Sequence, residues 1–159
     1  MDILIVDDEA LARQRLLRMV EKIEGFAVVA EADNAESALV AITQYDPDIV
    51  LLDVRMPGRD GLSLAKDISQ LEDPPVVIFC TAYDQYALKA IKASALDYLL
   101  KPIDIDELKE AVDKAVNDLT NQLNEAVNLL DNLTAHAALY LEPEKYAVKL
   151  SPKTLKDNR

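Results

Sequence analysis

Five short apolar runs alternate with longer stretches in which apolar residues recur every three or four positions. The runs are rich in Val, Ile and Leu, as is typical of strands buried on both faces, and cover 3–6, 27–30, 49–52, 76–80 and 97–100. The stretches have helical spacing and cover 10–24, 34–45, 62–71 and 84–94. Strands that alternate with helices predict a parallel sheet with right-handed crossovers. We therefore predict an α/β fold with a doubly wound five-stranded parallel sheet in the order 2-1-3-4-5.

The last predicted helix, which opens near Asp104, carries a different repeat. Its apolar residues are spaced by alternating steps of four and three, and they are Val112, Val116, Leu119, Leu123, Ala126, Leu130, Leu133 and Ala137. This spacing predicts an extended C-terminal helix with a heptad seam over 112–137. A helix of this length extends beyond a small domain, so its apolar stripe requires a partner. Two alternatives stay open: self-association as a homodimer, or a helix that folds back or breaks near 117–121.

The end of the chain has a third pattern. Residues 139–141 and 146–150 look strand-like, and two prolines interrupt the stretch. These changes divide the chain into a first domain over 1–118, an extended helix or coiled-coil linker over 119–138, and a segment over 139–159. We expect this last segment to be a tail or the start of a truncated domain.

Composition limits the classes of function. The formal net charge is −12, which argues against binding nucleic-acid phosphates through the bulk surface. No apolar run is long enough to span a membrane, so we expect no membrane partner. The N-terminus lacks the pattern of a signal peptide, and the single cysteine, Cys80, fits a reducing compartment. We therefore expect a cytoplasmic protein.

Polar side chains follow four of the predicted strands at the point where each strand ends. Asp7 and Asp8 follow the first strand, Asp53 the third, Thr81 the fourth and Lys101 the fifth. Because the carboxyl ends of parallel strands meet at one edge of the sheet, we expect these groups to lie close together. Three carboxylates in one pocket repel each other, and a hard divalent cation with oxygen ligands relieves this repulsion. The pattern therefore predicts a Mg²⁺ site.

Asp53 is the candidate nucleophile, because a carboxylate oxygen left free beside the metal can attack phosphorus. The metal, Lys101 and the Thr81 hydroxyl can then each take one oxygen of a phosphoryl group. Taken singly, Asp53 also suits a turn, Thr81 a helix cap and Lys101 a solvated charge, so the hypothesis rests on their combination. The sequence has no phosphate-binding glycine loop, and its one histidine, His136, lies far along the last helix.

These strand ends resemble the receiver domain of bacterial two-component response regulators. The residues that carry the resemblance follow successive strands, and they are Asp7-Asp8, Asp53, Met56-Pro57-Gly58, Gly61, Thr81-Ala82 and Lys101-Pro102. The resemblance covers about residues 1–118 and implies a flavodoxin-like receiver fold. It also implies a sensor histidine kinase as the partner that supplies the phosphoryl group.

The resemblance assigns a role to each matching residue. It implies that Asp53 is the phosphoacceptor and that Asp8, Asp53 and the main-chain carbonyl of Arg55 hold Mg²⁺, with Asp7 contacting the metal through water. It implies that Lys101 and Thr81 bind the phosphoryl group and that the Lys101–Pro102 bond is cis. Thr81 and Tyr98 form the switch that changes the surface of helix 4, strand 5 and helix 5, through which receivers pair.

Two segments, 83–90 and 95–102, are similar to regulators of the LytR/AlgR type. Regulators of that type carry a LytTR DNA-binding domain after the receiver. Here that domain is absent or barely begun, so DNA binding is expected only through a C-terminal domain that is not complete in this chain.

We therefore predict a transcriptional response regulator that is phosphorylated on Asp53 and is not an enzyme beyond self-phosphorylation and self-dephosphorylation. One alternative is a constitutive dimerisation module whose output does not depend on phosphorylation. A second is a phosphatase of the haloacid dehalogenase type, which also uses an Asp nucleophile and Mg²⁺. That type requires an acid two residues after the nucleophile, where this chain has Arg55.

Overall fold

The computed structural model describes residues 1–141. It contains one five-stranded sheet with the strand order β2-β1-β3-β4-β5, in which every neighbouring pair is parallel. The strands are β1 (Asp2–Val6), β2 (Ala27–Ala32), β3 (Ile49–Leu52), β4 (Val76–Thr81) and β5 (Asp97–Leu100). The predicted fold class and strand order are therefore confirmed.

Five helices accompany the sheet. They are α1 (Ala10–Glu21), α2 (Ala35–Tyr45), α3 (Gly61–Ser69), α4 (Ala87–Lys92) and α5 (Ile105–Leu141). Helix α2 begins after Asn34, whose side chain accepts a hydrogen bond from the Ser37 N–H at 2.8 Å, as predicted for a cap. Helix α3 is capped in the same way by Asp60.

Two predicted helices are too long. Helix α1 ends at Glu21 because the chain tightens there, and the Ile23 N–H bonds to the Val20 carbonyl, three residues back. Helix α4 covers only six residues. Its N-cap, Tyr86, offers no side-chain hydrogen bond, and Ser94, just beyond its C-terminal end, has a φ of +66° that a helix does not allow.

Both faces of the sheet are buried, which explains why its central strands are apolar throughout. One face packs with α2, α3 and α4 through alternate residues of the central strands, among them Leu4, Val50, Leu52, Val77 and Phe79. The intervening residues of the same strands are also fully buried, among them Ile3, Ile5, Leu51 and Ile78. The buried residues of α1 and α5 are not among those that pack on the face covered by α2, α3 and α4. Helices therefore cover both faces of the sheet.

Helix α5 is one continuous helix, as the extended-helix prediction requires, and the alternative of a break near 117–121 is excluded. By its internal contacts the chain divides into two units, residues 1–117 and residues 118–159. The strand-like prediction for 139–141 is wrong, because these residues form the last turn of α5. A helix satisfies its own backbone hydrogen bonds, whereas a strand needs a neighbour. The strand predicted over 146–150 lies outside the described residues.

No helix within residues 1–141 is both long enough and apolar enough to cross a lipid bilayer.

Candidate functional site

Backbone hydrogen bonds hold the strand ends in line at the carboxyl edge of the sheet. The Asp53 N–H donates to the Val6 carbonyl at 2.9 Å, which joins the end of β3 to the end of β1. The Lys101 N–H donates to the Thr81 carbonyl at 2.8 Å, which joins β5 to β4 in the same way. The predicted convergence of these residues at one edge therefore occurs.

Three carboxylates meet at this edge. One oxygen from each of Asp7, Asp8 and Asp53 lies within 4.8 Å of the others. Asp7 and Asp53 are buried, with exposed fractions of 1% and 8%, whereas Asp8 is exposed. Two buried acids beside a third are costly unless cationic groups or hydrogen-bond donors neutralise them.

The chain supplies part of that neutralisation at Asp7. The Glu9 N–H donates to one carboxylate oxygen of Asp7 at 2.9 Å, and Lys101 Nζ donates to the other at 2.6 Å. Arg13 Nη1 donates to the Asp7 main-chain carbonyl at 2.7 Å and so fixes the backbone. Asp7 is therefore held on three sides by α1 and by the end of β5.

Asp53 is less well neutralised than Asp7. The Val54 N–H donates to one of its oxygens at 2.9 Å, and Lys101 Nζ lies 3.6 Å from the other. Burial raises the pKa of Asp53 above its ordinary value, and the charge of Asp7 adds to this, while Lys101, Thr81 and the Val54 N–H oppose it. The ionised form of Asp53 is therefore destabilised in the folded protein, and a further cation bound beside it would stabilise that form.

Lys101 lies between the two buried acids. Burial lowers its pKa, but the hydrogen bond to Asp7 and the charge of Asp53 outweigh burial, so the pKa stands above its ordinary value. Lys101 therefore carries its positive charge at neutral pH. The Lys101–Pro102 bond that follows is cis, as the resemblance implies.

Gly61, at the start of α3, allows a close approach of backbone to backbone behind Asp53. A Cβ atom at this position would lie 2.0 Å from the Asp53 main-chain oxygen. The Gly61 N–H also donates to the Val54 carbonyl at 2.7 Å. No residue with a side chain fits here without moving the backbone that carries Asp53.

Tyr83 connects the two predicted switch residues. Its N–H donates to Thr81 Oγ1 at 3.4 Å, and its carbonyl accepts a hydrogen bond from the Tyr98 hydroxyl. The Tyr98 ring packs against Phe79, with ring centroids 6.0 Å apart. The Arg55 guanidinium lies over the Tyr83 ring, 4.8 Å from its centroid. The loop after β4 therefore joins the end of β3 to the middle of β5.

The structure brings together Asp7, Asp8, Asp53, Thr81 and Lys101, as the strand ends predict. Tyr98 lies in β5, three residues before Lys101, and its hydroxyl contacts the Tyr83 carbonyl. Two contacts of the site were not predicted from the sequence, those of Arg13 and Tyr83. The only signal for Arg13 was a basic residue one turn into the helix after the acid pair, and no sequence spacing indicated the stacking of Arg55 on Tyr83.

The arrangement offers hard oxygen donors beside an ammonium group. Carboxylate oxygens are the ligands that Mg²⁺ and Ca²⁺ take in proteins. A buried carboxylate next to a fixed cation is also suited to attack an electrophilic phosphorus whose oxygens need neutralising. Within residues 1–141, no other group of three acids, cysteines or histidines is close enough to hold a metal ion.

Comparison with known proteins decides the family. Residues 3–113 match the response regulator receiver domain. The chain belongs to that family. The match covers all five strands and every residue of the acidic edge, so the predicted resemblance is confirmed.

The receiver resembles regulators of the LytR/AlgR type. It is 53% identical over 116 residues to the positive alginate biosynthesis regulatory protein of Pseudomonas aeruginosa, covering 72% of this chain and 47% of that protein. It is 38% identical over 135 residues to the sensory transduction protein LytR of Staphylococcus haemolyticus, covering 85% of this chain and 51% of that protein. The chain thus spans about half the length of these relatives. They are regulators rather than classical enzymes.

A solved structure supports the fold. A chain in the CheX-CheY-BeF3-Mg²⁺ complex from Borrelia burgdorferi matches with a TM-score of 0.65 and 27% identity, over 70% of this chain and 86% of that one. The receiver described here therefore has the fold of proteins that act in two-component signalling.

Proposed function

We propose that this receiver accepts a phosphoryl group on Asp53 from a sensor histidine kinase, in a reaction that depends on Mg²⁺. The observation that carries the proposal is the position of the Asp53 carboxylate. It is buried at the end of β3, one of its oxygens lies 3.6 Å from Lys101 Nζ, and its pKa is raised by burial. A group in this state gains from a cation and from an electrophile that removes its charge.

The donor set fits a magnesium ion. Three carboxylates lie within reach of one another, and Lys101 neutralises only part of their charge. Asp8, Asp53 and the main-chain carbonyl of Arg55 would hold the ion, with Asp7 contacting it through water. The bound ion would supply positive charge to the oxygens of the phosphoryl group.

The chain's own groups do the rest of the chemistry. One oxygen of the Asp53 carboxylate attacks phosphorus, and the bond from phosphorus to the kinase histidine breaks. The Lys101 ammonium lies close enough to Asp53 to take one phosphoryl oxygen, and the Thr81 hydroxyl takes another. Asp7 orients Lys101 through the 2.6 Å hydrogen bond. Burial of the Asp53 carboxylate limits the approach of bulk water to the acyl phosphate.

The same site is proposed to switch a surface. When Thr81 moves toward the phosphoryl group, its contact with the Tyr83 N–H changes, and Tyr83 also holds the Tyr98 hydroxyl. Tyr98 then turns inward, and the surface formed by α4, β5 and α5 adopts the form that pairs with a second copy. Phosphorylation shifts this equilibrium only by its differential stabilisation of one state.

The proposed organisation is a receiver over 1–118, a helical linker over 119–138 and, over 139–159, a tail or the start of a truncated effector domain. We propose a homodimer that forms through α4, β5 and α5 and through the 112–137 seam. Transcriptional output would pass through a C-terminal DNA-binding domain of the LytTR type. Cys80, buried in β4, fits the cytoplasm that we propose as the compartment.

Phosphorylation by a small phosphodonor tests the proposal. We expect the intact chain, incubated with acetyl phosphate and Mg²⁺, to gain the mass of one phosphoryl group, and the Asp53→Asn variant to gain none. The Asp73→Asn variant is the matched control, because Asp73 is an exposed acid remote from the strand ends. Equal phosphorylation of wild type and Asp53→Asn would contradict the assignment, as would a reaction that proceeds unchanged in excess chelator.

The second candidate is a constitutive dimerisation module, which the exposed apolar residues of α5 favour. Leu123, Leu130 and Leu133 are each more than half exposed. Light scattering with and without Mg²⁺ plus beryllofluoride, a phosphoryl mimic, separates the two candidates. A monomer that becomes an assembly supports the phosphorylation switch, whereas the same assembly in both states supports the constitutive module.

A further inference from the structure

The helical stretch 118–141 has an apolar stripe wider than a simple coiled-coil seam. Val116 begins the heptads as position a, so the a and d positions are those of the predicted seam. The flanking e and g positions are Thr120, Gln122, Val127, Leu129, Thr134, His136 and Leu141. None of these seven carries a fixed charge, although charged residues at e and g are the common pattern of two-stranded coiled coils.

The middle heptad shows the width most clearly. Leu123 and Ala126 occupy its a and d positions, while Val127 and Leu129 add large apolar side chains at e and g. Within the described chain, Leu123, Val127 and Leu129 have exposed fractions of 63%, 46% and 60%. A two-stranded coiled coil covers mainly the a and d positions, so it would leave Val127 and Leu129 exposed.

The charges of this stretch lie on its far side. The charged residues between 118 and 141 are Asp118, Glu125 and Asp131, all acidic, at positions b and c. In a bundle these acids point outward from every copy, so they do not oppose association. The same acids would repel a nucleic acid, and the stripe itself offers no cation to an acidic partner.

We propose that the stretch 118–141 of four copies of this chain forms a four-helix bundle. Helices of bundles are apolar at a and d plus e or g, because each helix contacts two neighbours, and the middle heptad of the stretch has this pattern. The stretch spans about 36 Å at 1.5 Å per residue, a length that accommodates about three heptads. Identical stripes are self-complementary under closed symmetry. The inference rests on the homodimer proposed above and adds that two such dimers associate through this stretch.

The test is the mass of the full chain in solution, measured by light scattering in the presence of Mg²⁺ and beryllofluoride. We expect four times the mass of one chain. The double variant Val127→Glu plus Leu129→Glu is expected to give half that mass, because it charges the flanks and spares a and d. The control Asn128→Glu places one negative charge at position f, between the two substituted positions, and is expected to keep the wild-type mass.

Each other result is decisive. A wild-type dimer would overturn the bundle and leave the proposed dimerisation standing. A wild-type monomer at all concentrations would overturn both the bundle and the proposed self-association. A double variant that keeps four times the chain mass would overturn the bundle, since Val127 and Leu129 would then lie outside the interface.

Discussion

The acidic edge of the sheet and the helical stretch 118–141 both concentrate side chains that are unfavourable on their own. At the edge, Lys101 and backbone N–H groups of the same chain partly neutralise the buried carboxylates of Asp7 and Asp53. Along the stretch, leucines remain more than half exposed. The acidic site is therefore assembled within one chain, whereas we propose that other copies cover the apolar stripe.

The largest expected effect sharpens the first half of this comparison. Gly61→Ala is expected to destabilise the receiver by roughly 3 kcal/mol or more, since its Cβ would meet the Asp53 main-chain oxygen at 2.0 Å. Gly25→Ala is the matched control: its φ of +90° strains the new residue, but nothing lies within 4 Å, so the expected cost is about 1–2 kcal/mol. Urea denaturation measures both, and equal costs would contradict the close approach.

The next effect concerns the cation of the site. Lys101→Ala is expected to slow phosphorylation by acetyl phosphate by roughly 100-fold, the scale of losing one positioned donor to a developing charge. Lys101→Arg keeps the charge and is expected to retain more of the rate. The time course of the phosphoryl mass gain gives both rates, and an unchanged rate in Lys101→Ala would remove Lys101 from the site.

Removing the charge of Asp53 is expected to stabilise the fold. Because the pKa of Asp53 is raised in the folded protein from its ordinary value near 3.8, the unfolded chain loses this proton first as pH rises. Ionisation of Asp53 therefore costs stability above that pH and none below it. Asp53→Asn is expected to gain on the order of 1 kcal/mol at neutral pH, and the gain should vanish in acid. Thermal unfolding at several pH values measures this gain. If Asp53 were well neutralised, Asp53→Asn would instead lower the stability at neutral pH.

The smallest effect comes from an exposed ion pair. Lys114 Nζ lies 3.1 Å from Asp97, and both side chains are substantially solvated. A double-mutant cycle with Lys114→Ala and Asp97→Ala is expected to give a coupling of about 0.5 kcal/mol or less. A coupling as large as that between Lys101 and Asp7 would mean that burial does not distinguish the two pairs.

The sequence predicted the fold and the acidic edge because both depend on strong local signals. Central strands buried on two faces must be apolar throughout, and the first residue beyond each strand must lie at the sheet edge. For these two reasons the sequence alone predicts that Asp53 lies beside Asp7 and Lys101.

The remainder depends on contacts between distant residues. The stacking of Arg55 on Tyr83 and the bond from Arg13 to the Asp7 carbonyl join separate elements without a regular spacing. The ends of a helix depend on interactions of small free energy, which the spacing of apolar residues does not indicate. Helix α4 is therefore shorter than the stretch 84–94 predicted for it. At 139–141 the residue pattern favoured a strand. Continuing an existing helix requires less free energy than starting a strand that has no neighbour, so these residues extend α5.

The most direct test of the comparison is phosphorylation of a chain that cannot associate. Leu130→Glu places a charge at an a position of the stripe and is expected to be monomeric by light scattering before phosphorylation. Incubated with acetyl phosphate and Mg²⁺, this monomer should gain one phosphoryl group on Asp53, located by peptide mass spectrometry, at the wild-type rate. A monomer that is folded but not phosphorylated would show that the site needs a second copy, and would contradict a pocket complete within one chain.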